Sequence, residues 1–156
     1  MNINSIKSFA KVNLALNITG KLTKLHKIES IVTFINLYDL ITIKRINSKK
    51  HNISFNGNFS KNIPRNNTVI NLFDILDRQK LLDDKKFQIK IKKNIPQEAG
   101  LGGGSMNAAN ILNFLVKKNI IKINQKKILK ITNLIGSDVI LGINPKSTVL
   151  TSGNVI

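Results

Sequence analysis

The amino-acid sequence predicts an α+β fold built on a largely antiparallel sheet. Alternating apolar residues dominate the first third of the chain, and apolar residues at helical spacing dominate much of the remainder. Strands that come first and helices that follow are typical of this fold class. With 156 residues, of which 42% are hydrophobic, the chain is long enough for one domain with a substantial core.

The predicted strands are runs of β-forming residues bounded by turn residues. They cover residues 6–18, 30–37, 40–46, 53–55, 87–91 and 148–151. We expect a basic loop over residues 21–27 and a hairpin-like or bulged connection at Tyr38 and Asp39. Asn56 and Gly57 form a pair that favours a tight turn after the fourth run.

Three helices are predicted from apolar residues that recur every three or four positions. They cover residues 68–80, 107–118 and 124–134. Asn67 or Thr68 is suited to be the N-cap of the first helix, and Gly136 ends the third. A short apolar run over residues 139–143 precedes Pro145.

The most informative motif is a glycine-rich loop between the strand at 87–91 and a helix that we expect to begin near Asn107. Four glycines within residues 100–104 allow the backbone to approach a ligand closely and to adopt positive φ. The free N–H groups at a helix N-terminus favour phosphate. The loop therefore predicts a nucleotide-phosphate site, and the alternative is a plain turn between strand and helix.

Two common phosphate-binding motifs do not fit this loop. A Walker A loop needs Lys followed by Ser or Thr after its last glycine, whereas Ser105 follows Gly104 directly. The dinucleotide fingerprint needs a glycine where Ser105 stands, and an acidic residue about 20 positions later. That later stretch is basic and rich in Ile.

The net charge of +17 is not taken as a sign of nucleic-acid binding. Only Arg45, Arg65 and Arg78 among the 25 basic residues are arginines, the residue type that base and phosphate recognition favours. The excess of Ile, Asn and Lys matches A/T-rich codon usage. The positive field could still attract anionic nucleotides.

Composition also limits the cellular setting. The chain has no cysteine, which excludes disulfides and thiolate metal sites. The N-terminus lacks the pattern of a signal peptide, and no apolar run approaches the length of a membrane span. We therefore expect a cytoplasmic protein with neither a membrane nor a nucleic-acid partner.

The glycine loop, together with residues 10–14 (Ala-Lys-Val-Asn-Leu), resembles the GHMP small-molecule kinase superfamily. Within it, the sequence Gly-Leu-Gly-Gly-Gly-Ser-x-Asn-Ala-Ala is similar to that of the kinases of 4-diphosphocytidyl-2-C-methyl-D-erythritol. His26 with Glu29-Ser30, and residues 136–139 (Gly-Ser-Asp-Val), agree with further motifs of these kinases. The resemblance implies the α+β fold shared with domain 2 of ribosomal protein S5, with helices on one face of the sheet.

This resemblance also implies a reaction in the non-mevalonate isoprenoid pathway. ATP, with Mg²⁺, would phosphorylate the 2-hydroxyl of diphosphocytidyl methylerythritol. Asp138 would take the hydroxyl proton, and Lys11 would orient Asp138 and stabilise negative charge. Asn13 and His26 would bind the substrate. The ATP-binding residues would be Lys93, Pro96, Ala99, Gly100, Leu101, Gly102, Gly103, Gly104 and Ser105.

No residue is assigned as a protein ligand of a metal. Two positions depart from the family pattern, since Leu25 stands where an aromatic residue usually precedes the histidine, and Met106 replaces a serine. By resemblance, residues 1–156 would be the N-terminal, ATP-binding domain of such a kinase, without its C-terminal domain.

Other interpretations remain open. The chain could be another GHMP kinase, acting on mevalonate, homoserine or a sugar, or an inactive fragment that binds nucleotide. A nucleic-acid-binding domain would show steeply salt-dependent binding to polyanions. Lys11, Asn13 and Lys93 could be ordinary polar strand residues, His26 an exposed loop residue, and Asp138 a turn or capping residue.

Overall fold

The computed structural model describes residues 3–21, 26–151 and 154–155. These residues form one sheet and a set of helices that follow one another in the predicted order. The elements are β1 (Asn4–Lys21), β2 (His26–Ile46), β3 (Asn52–Asn56), α1 (Thr68–Arg78), β4 (Lys86–Lys92), α2 (Gly103–Lys117), α3 (Gln125–Ile135), a 3-10 helix (Ser137–Gly142), β5 (Thr148–Thr151) and β6 (Asn154–Val155).

The long strand β2 organises the sheet. One of its edges pairs with β1 along most of its length, and the other pairs with β4 and β5. These pairs are antiparallel, whereas β3 and β4 are parallel because α1 crosses over between them. The predicted α+β fold with a mostly antiparallel sheet is therefore confirmed.

The structure excludes a hairpin at Tyr38 and Asp39 and favours the bulged alternative. Both predicted runs on either side belong to β2, which continues through these residues. The pairing with β1 shifts register between Phe9–Tyr38 and Ala10–Ile35, so the irregularity lies just before the predicted connection. A bulge bends a strand without ending it. Of the predicted basic loop, residues 22–25 lie outside the described residues.

The helices pack on one face of the sheet, where the core lies. Alternate residues of β2 and β4 face them, including Ile41, Ile43, Ile89 and Ile91, all of which are buried. The prediction of helices on one face is thus confirmed. The apolar run at 139–143 lies largely in the 3-10 helix.

Side-chain caps begin the first and third helices; the cap of the first was predicted, whereas Asn124, predicted as the first residue of the third helix, is its N-cap. The side chain of Asn67 accepts hydrogen bonds from the backbone N–H groups of Val69 and Ile70, and that of Asn124 accepts one from Lys127. No helix within the described ranges has both the length and the apolar character needed to cross a lipid bilayer.

Candidate active site

The glycine-rich loop connects β4 to α2. Its backbone has positive φ at Gly100 (71°) and Gly102 (66°), a region that favours glycine. A Cβ atom at Gly102 would lie 2.8 Å from Cγ of Lys11. The backbone N–H of Lys11 donates to the carbonyl of Leu101 at 3.0 Å. The loop is therefore held against β1, and Gly102 is needed both for its φ and for this close contact.

The structure corrects the predicted start of α2. The helix begins at Gly103 rather than near Asn107, so Gly103, Gly104 and Ser105 form its first turn. Glycine is a poor helix former, which is why the sequence pattern assigned these residues to the loop. Gly102, the N-cap, has no side chain that could cap the helix. The N–H groups of the first turn therefore remain available to a ligand.

A cavity of about 540 Å³ lies at the N-terminus of α2. All the residues predicted to bind ATP line it, and so do Lys11 and Asp138. The N-terminus of α1 borders the same cavity through Asn67 and Thr68, and the Thr68 hydroxyl donates to the carbonyl of Gly104 at 2.7 Å. Two helix N-termini and two lysines therefore face one space, an arrangement that favours an anionic ligand.

Lys11 and Asp138 meet at the edge of this cavity. The Lys11 Nζ atom lies 3.4 Å from Oδ2 of Asp138 and 3.3 Å from Oδ1 of Asn13. The Lys11 side chain is only 9% exposed, whereas that of Asp138 is 42% exposed. The ammonium is thus held in place while the carboxylate stays open to a ligand.

The position of Asp138 depends on how the 3-10 helix packs against α2. A Cβ atom at Gly142 would lie 2.6 Å from Cβ of Ala109, so only glycine allows the two helices to approach this closely. The Asn113 side chain of α2 donates to the carbonyls of Gly142 and Ile143 at 3.1 and 2.8 Å. These contacts hold the segment that carries Asp138 beside β1.

Lys93 is not the solvated strand end that the sequence left open. Its side chain is 6% exposed and its ammonium pairs with the carboxylate of Asp39, which is fully buried. Its Nζ atom would lie 3.2 Å from a Cβ atom at Gly103. Lys93 therefore lies directly beneath the first turn of α2.

The structure describes the side chain of only one of the two residues predicted to bind substrate. Asn13 is exposed and touches Lys11, so it lies beside the catalytic pair that we predicted. His26 begins β2, but its side chain and the whole of Leu25 lie outside the described residues. The role of His26 thus stays a prediction from the sequence.

Several cavity residues were not predicted from the sequence. Asn66, Asn67 and Thr68 bring the N-terminus of α1 to the site, and Asn107 lines the cavity from α2. The only signal for the first group was the cap pattern at Asn67, which marked a second helix N-terminus. Nothing in the local sequence indicated that the two helix ends would meet.

No cluster of three or more His, Cys, Asp or Glu residues suited to hold a metal occurs among the described residues. Two carboxylates, Glu98 and Asp138, and the Ser105 side chain do line the cavity. Mg²⁺ is commonly held by one or two carboxylates together with substrate phosphates. These residues therefore fit a cation that arrives with a phosphate ligand.

The sequence is similar to curated kinases of one kind. The 4-diphosphocytidyl-2-C-methyl-D-erythritol kinase of Pelagibacter ubique (strain HTCC1062) is 58% identical over 156 residues, which are 100% of this chain and 56% of that protein. The enzyme of the same name from Thermosipho melanesiensis (strain DSM 12029 / CIP 104789 / BI429) is 38% identical over 138 residues, covering 86% of this chain and 46% of the relative. The chain spans about half the length of the curated relatives it matches.

Solved structures share the fold. A crystal structure of 4-(cytidine 5'-diphospho)-2C-methyl-D-erythritol kinase superposes with a TM-score of 0.80 at 22% identity, covering 98% of this chain and 54% of that one. The mevalonate kinase of Methanococcus jannaschii superposes with a TM-score of 0.64 at 16% identity, covering 99% and 55%. At these identities the likeness shows the fold alone.

The family profile described as GHMP kinases N terminal domain matches residues 67–145. This stretch contains α1, the glycine loop, α2 and Asp138. The match spans half of the chain and includes most of the residues that line the cavity. The chain therefore belongs to the GHMP kinase family, of which it carries the N-terminal domain.

Proposed function

We propose that this domain binds ATP in the glycine-loop cavity and serves a kinase that phosphorylates the 2-hydroxyl of 4-diphosphocytidyl-2-C-methyl-D-erythritol. The observation that carries the proposal is the Lys11–Asp138 pair at 3.4 Å, beside a cavity bordered by two helix N-termini. The 58% identity to the Pelagibacter ubique kinase supports this substrate over those of other GHMP kinases.

The proposed division of labour follows from the charges and the exposure of the two side chains. Asp138, which is partly open to the cavity, would accept the proton of the substrate hydroxyl as that oxygen attacks the γ-phosphorus of ATP, the bond to the β,γ-bridging oxygen breaks and ADP leaves. Lys11 would orient the carboxylate and offset negative charge on the transferring group. Phosphoryl transfer depends mainly on such positioning and charge stabilisation.

The remaining residues of the site would hold the nucleotide. The first-turn N–H groups of α2 and the ammonium of Lys93 would contact the phosphates. Glu98 and Ser105 could hold Mg²⁺, which would supply charge neutralisation on the phosphate oxygens. Asn13 and His26 would bind the cytidine or erythritol part of the substrate.

The domain arrangement is part of the same proposal. We propose that residues 1–156 pair with a second domain, because the matched relatives are about twice as long. Apolar side chains of β1, β2 and β5 are exposed and could form the contact: Leu14, Leu16, Ile18, Ile31, Ile35 and Val149. A cytoplasmic location remains a prediction from the sequence.

Calorimetric titration of this chain tests the ATP site. We expect Mg-ATP to bind more tightly than Mg-tripolyphosphate, and its binding to persist at moderate salt, because the nucleoside also occupies the cavity. Equal and salt-sensitive binding of both ligands would mean that only the charge of +17 is sensed. That result would contradict the proposal.

Phosphoryl transfer can be measured on a chimera that joins residues 1–156 to the C-terminal part of the Pelagibacter ubique relative. A panel of diphosphocytidyl methylerythritol, mevalonate, homoserine and galactose would be offered with Mg-ATP. We expect turnover of the first compound alone. Turnover of another member of the panel would overturn the substrate, and turnover of none would leave a nucleotide-binding domain.

A further inference from the structure

A polar pair interrupts the apolar face of the sheet directly beneath the glycine loop. On the helix-covered face of β2, Asp39 precedes Ile41 and Ile43, and Lys93, directly after the end of β4, follows Ile89 and Ile91. The register ends with the pair Leu40 and Lys92, and one residue beyond that pair the Lys93 ammonium contacts the Asp39 carboxylate. The two apolar rows therefore each lead to a charged residue at the same end of the β2–β4 pairing.

Asp39 is surrounded by hydrogen-bond donors. It is fully buried, and Oδ1 accepts from the backbone N–H groups of Asn94 and Ile95 at 2.8 and 2.9 Å. Oδ2 accepts from the Lys93 ammonium and from Nδ2 of Asn107 at 2.8 Å. One carboxylate thus joins the end of β4, the segment that leads into the loop, and the second turn of α2.

The partners of Asp39 reach the cavity, although Asp39 does not line it. Lys93 and Asn107 both line the cavity. The Lys93 ammonium has three N–H donors, and one of them is directed to Asp39. With its Nζ atom beneath Gly103, the ammonium keeps donors for a ligand held at the first turn of α2.

A contribution to the stability of the fold does not explain well why Asp39 and Lys93 form a buried ion pair. Removing two charges from water is costly, and replacement of a buried ion pair by apolar residues of similar size is often neutral or stabilising. Every other residue of the two buried rows described above is apolar. A charged pair at this one level, next to the cavity, therefore indicates a task in ligand binding.

We propose that Asp39 is a positioning residue for the phosphate site: it fixes the Lys93 ammonium beneath the first turn of α2, so that Lys93 meets the phosphates of the bound nucleotide. This inference rests on the proposed function, because it requires ATP in the glycine-loop cavity. It adds a residue that touches neither ATP nor substrate.

The test measures the Kd for Mg-ATP of four chains by calorimetry: the unchanged protein, Asp39→Asn, Lys93→Met and the double variant. Asp39→Asn keeps an oxygen for the two backbone N–H groups but directs an amide at the ammonium. We expect each single variant to raise the Kd at least about tenfold, the scale of a lost charged hydrogen bond. Because Asp39 acts through Lys93, the double variant should bind no more weakly than Lys93→Met.

Asp77→Asn is the matched control. Asp77 is also paired with a lysine, Lys86, at 2.7 Å, but neither residue lines the cavity. We expect this variant to bind Mg-ATP like the unchanged protein. Thermal unfolding of all variants separates loss of fold from loss of binding.

The outcomes distinguish the two proposals. If the unchanged chain binds Mg-ATP no better than Mg-tripolyphosphate, the proposed function falls, and this inference falls with it. If it binds well and Asp39→Asn does too, only the inference is overturned. If Asp39→Asn does not fold, the comparison of Lys93→Met with the double variant decides, and a further loss of affinity in the double variant would mean that Asp39 acts independently of Lys93.

Discussion

Burial and pairing with a carboxylate distinguish the two lysines of the candidate active site from the other lysines. Among the 25 basic residues, Lys11 and Lys93 are buried next to the cavity, and each has a carboxylate partner. A lysine is rarely buried unless it is paired. Burial of this kind cannot be inferred from residue type, because most other lysines whose burial the structure describes lie at the surface.

Asp138→Asn tests the proposed base. The amide keeps the size of the side chain but cannot take a proton, so we expect kcat of the chimera to fall by about 10²–10⁴-fold. The KM for ATP should change little, since Asp138 would act on the hydroxyl. Asp74→Asn, a change on α1 away from the cavity, serves as the control. Near-normal turnover of the Asp138 variant would remove this residue from the role of base.

Gly102→Ala and Gly100→Ala form a matched pair in the loop. Both residues have positive φ, so each substitution costs about 1–2 kcal/mol of backbone strain. Only at Gly102 would the new Cβ atom also collide with Lys11, whereas nothing lies within 4 Å at Gly100. We therefore expect Gly102→Ala to reduce turnover of the chimera far more than Gly100→Ala. Equal losses of turnover in the two variants would show that backbone strain, and not the contact with Lys11, causes the loss.

At the level of elements, the site is made by the ends of helices rather than by one motif. The glycine loop and α2 were predicted, but the N-terminus of α1 borders the same cavity. The Thr68–Gly104 hydrogen bond joins the two helix ends directly. The parallel pairing of β3 with β4, on either side of α1, brings that helix to the same face of the sheet as α2.

Asn67→Ala and Asn124→Ala compare two helix caps. Each removes a side-chain oxygen that accepts N–H groups at a helix start, and we expect each to lower the free energy of unfolding by about 1 kcal/mol. Only Asn67 lies at the cavity, so only its loss should also weaken Mg-ATP binding. Urea unfolding and calorimetry measure the two effects. An equal loss of affinity in both variants would contradict the placement of α1 at the site.

On the scale of the whole molecule, a half-buried histidine links the sheet to α1 away from the cavity. His51 lies against Phe73 and Phe87, and its Nδ1 accepts the backbone N–H of Phe87 at 3.1 Å. Burial lowers the pKa of His51 below 6.5, although the neighbouring Asp77 acts in the opposite direction. The histidine is therefore mostly neutral near pH 7 in the folded state.

The pKa shift of His51 predicts a stability that depends on pH. Below pH 6.5 the unfolded chain takes up a proton at this residue before the folded protein does, so the free energy of unfolding falls as the pH is lowered from 6.5 towards the folded pKa. Urea unfolding at several pH values measures the decline. In His51→Asn, which keeps an acceptor near Phe87, the decline over that range should be smaller. If the decline is the same in His51→Asn, titratable groups other than His51 cause it.

Asp77 extends the same trend to lower pH. Burial alone would raise its pKa, but hydrogen bonds from Lys86 and His51 outweigh that effect and lower it below 3.8. Its stabilising contribution is therefore present above pH 3.8 and is lost as the pH falls through the folded pKa.

Local patterns in the sequence determined most of the elements, the α+β class, the cap at Asn67 and the glycine loop as a candidate phosphate site. These features depend on alternation, helical spacing and residue types within a few positions of one another. The family motifs added Lys11 and Asp138 as candidates. The start of α2 was missed, because the contacts around Gly103 and Gly104 outweigh their poor helix propensity.

Only the tertiary structure decided which side chains meet. Lys11 and Asp138 are far apart in the chain, as are Asp39 and Lys93, and each pair forms because strand register and helix packing bring distant segments together. From the sequence alone, a charged residue next to an alternating apolar run is expected to be exposed to solvent. Asp39 and Lys93 are buried because α2 packs over them. Burial, pairing and the shape of the cavity are properties of that packing, and no local pattern in the sequence contains them.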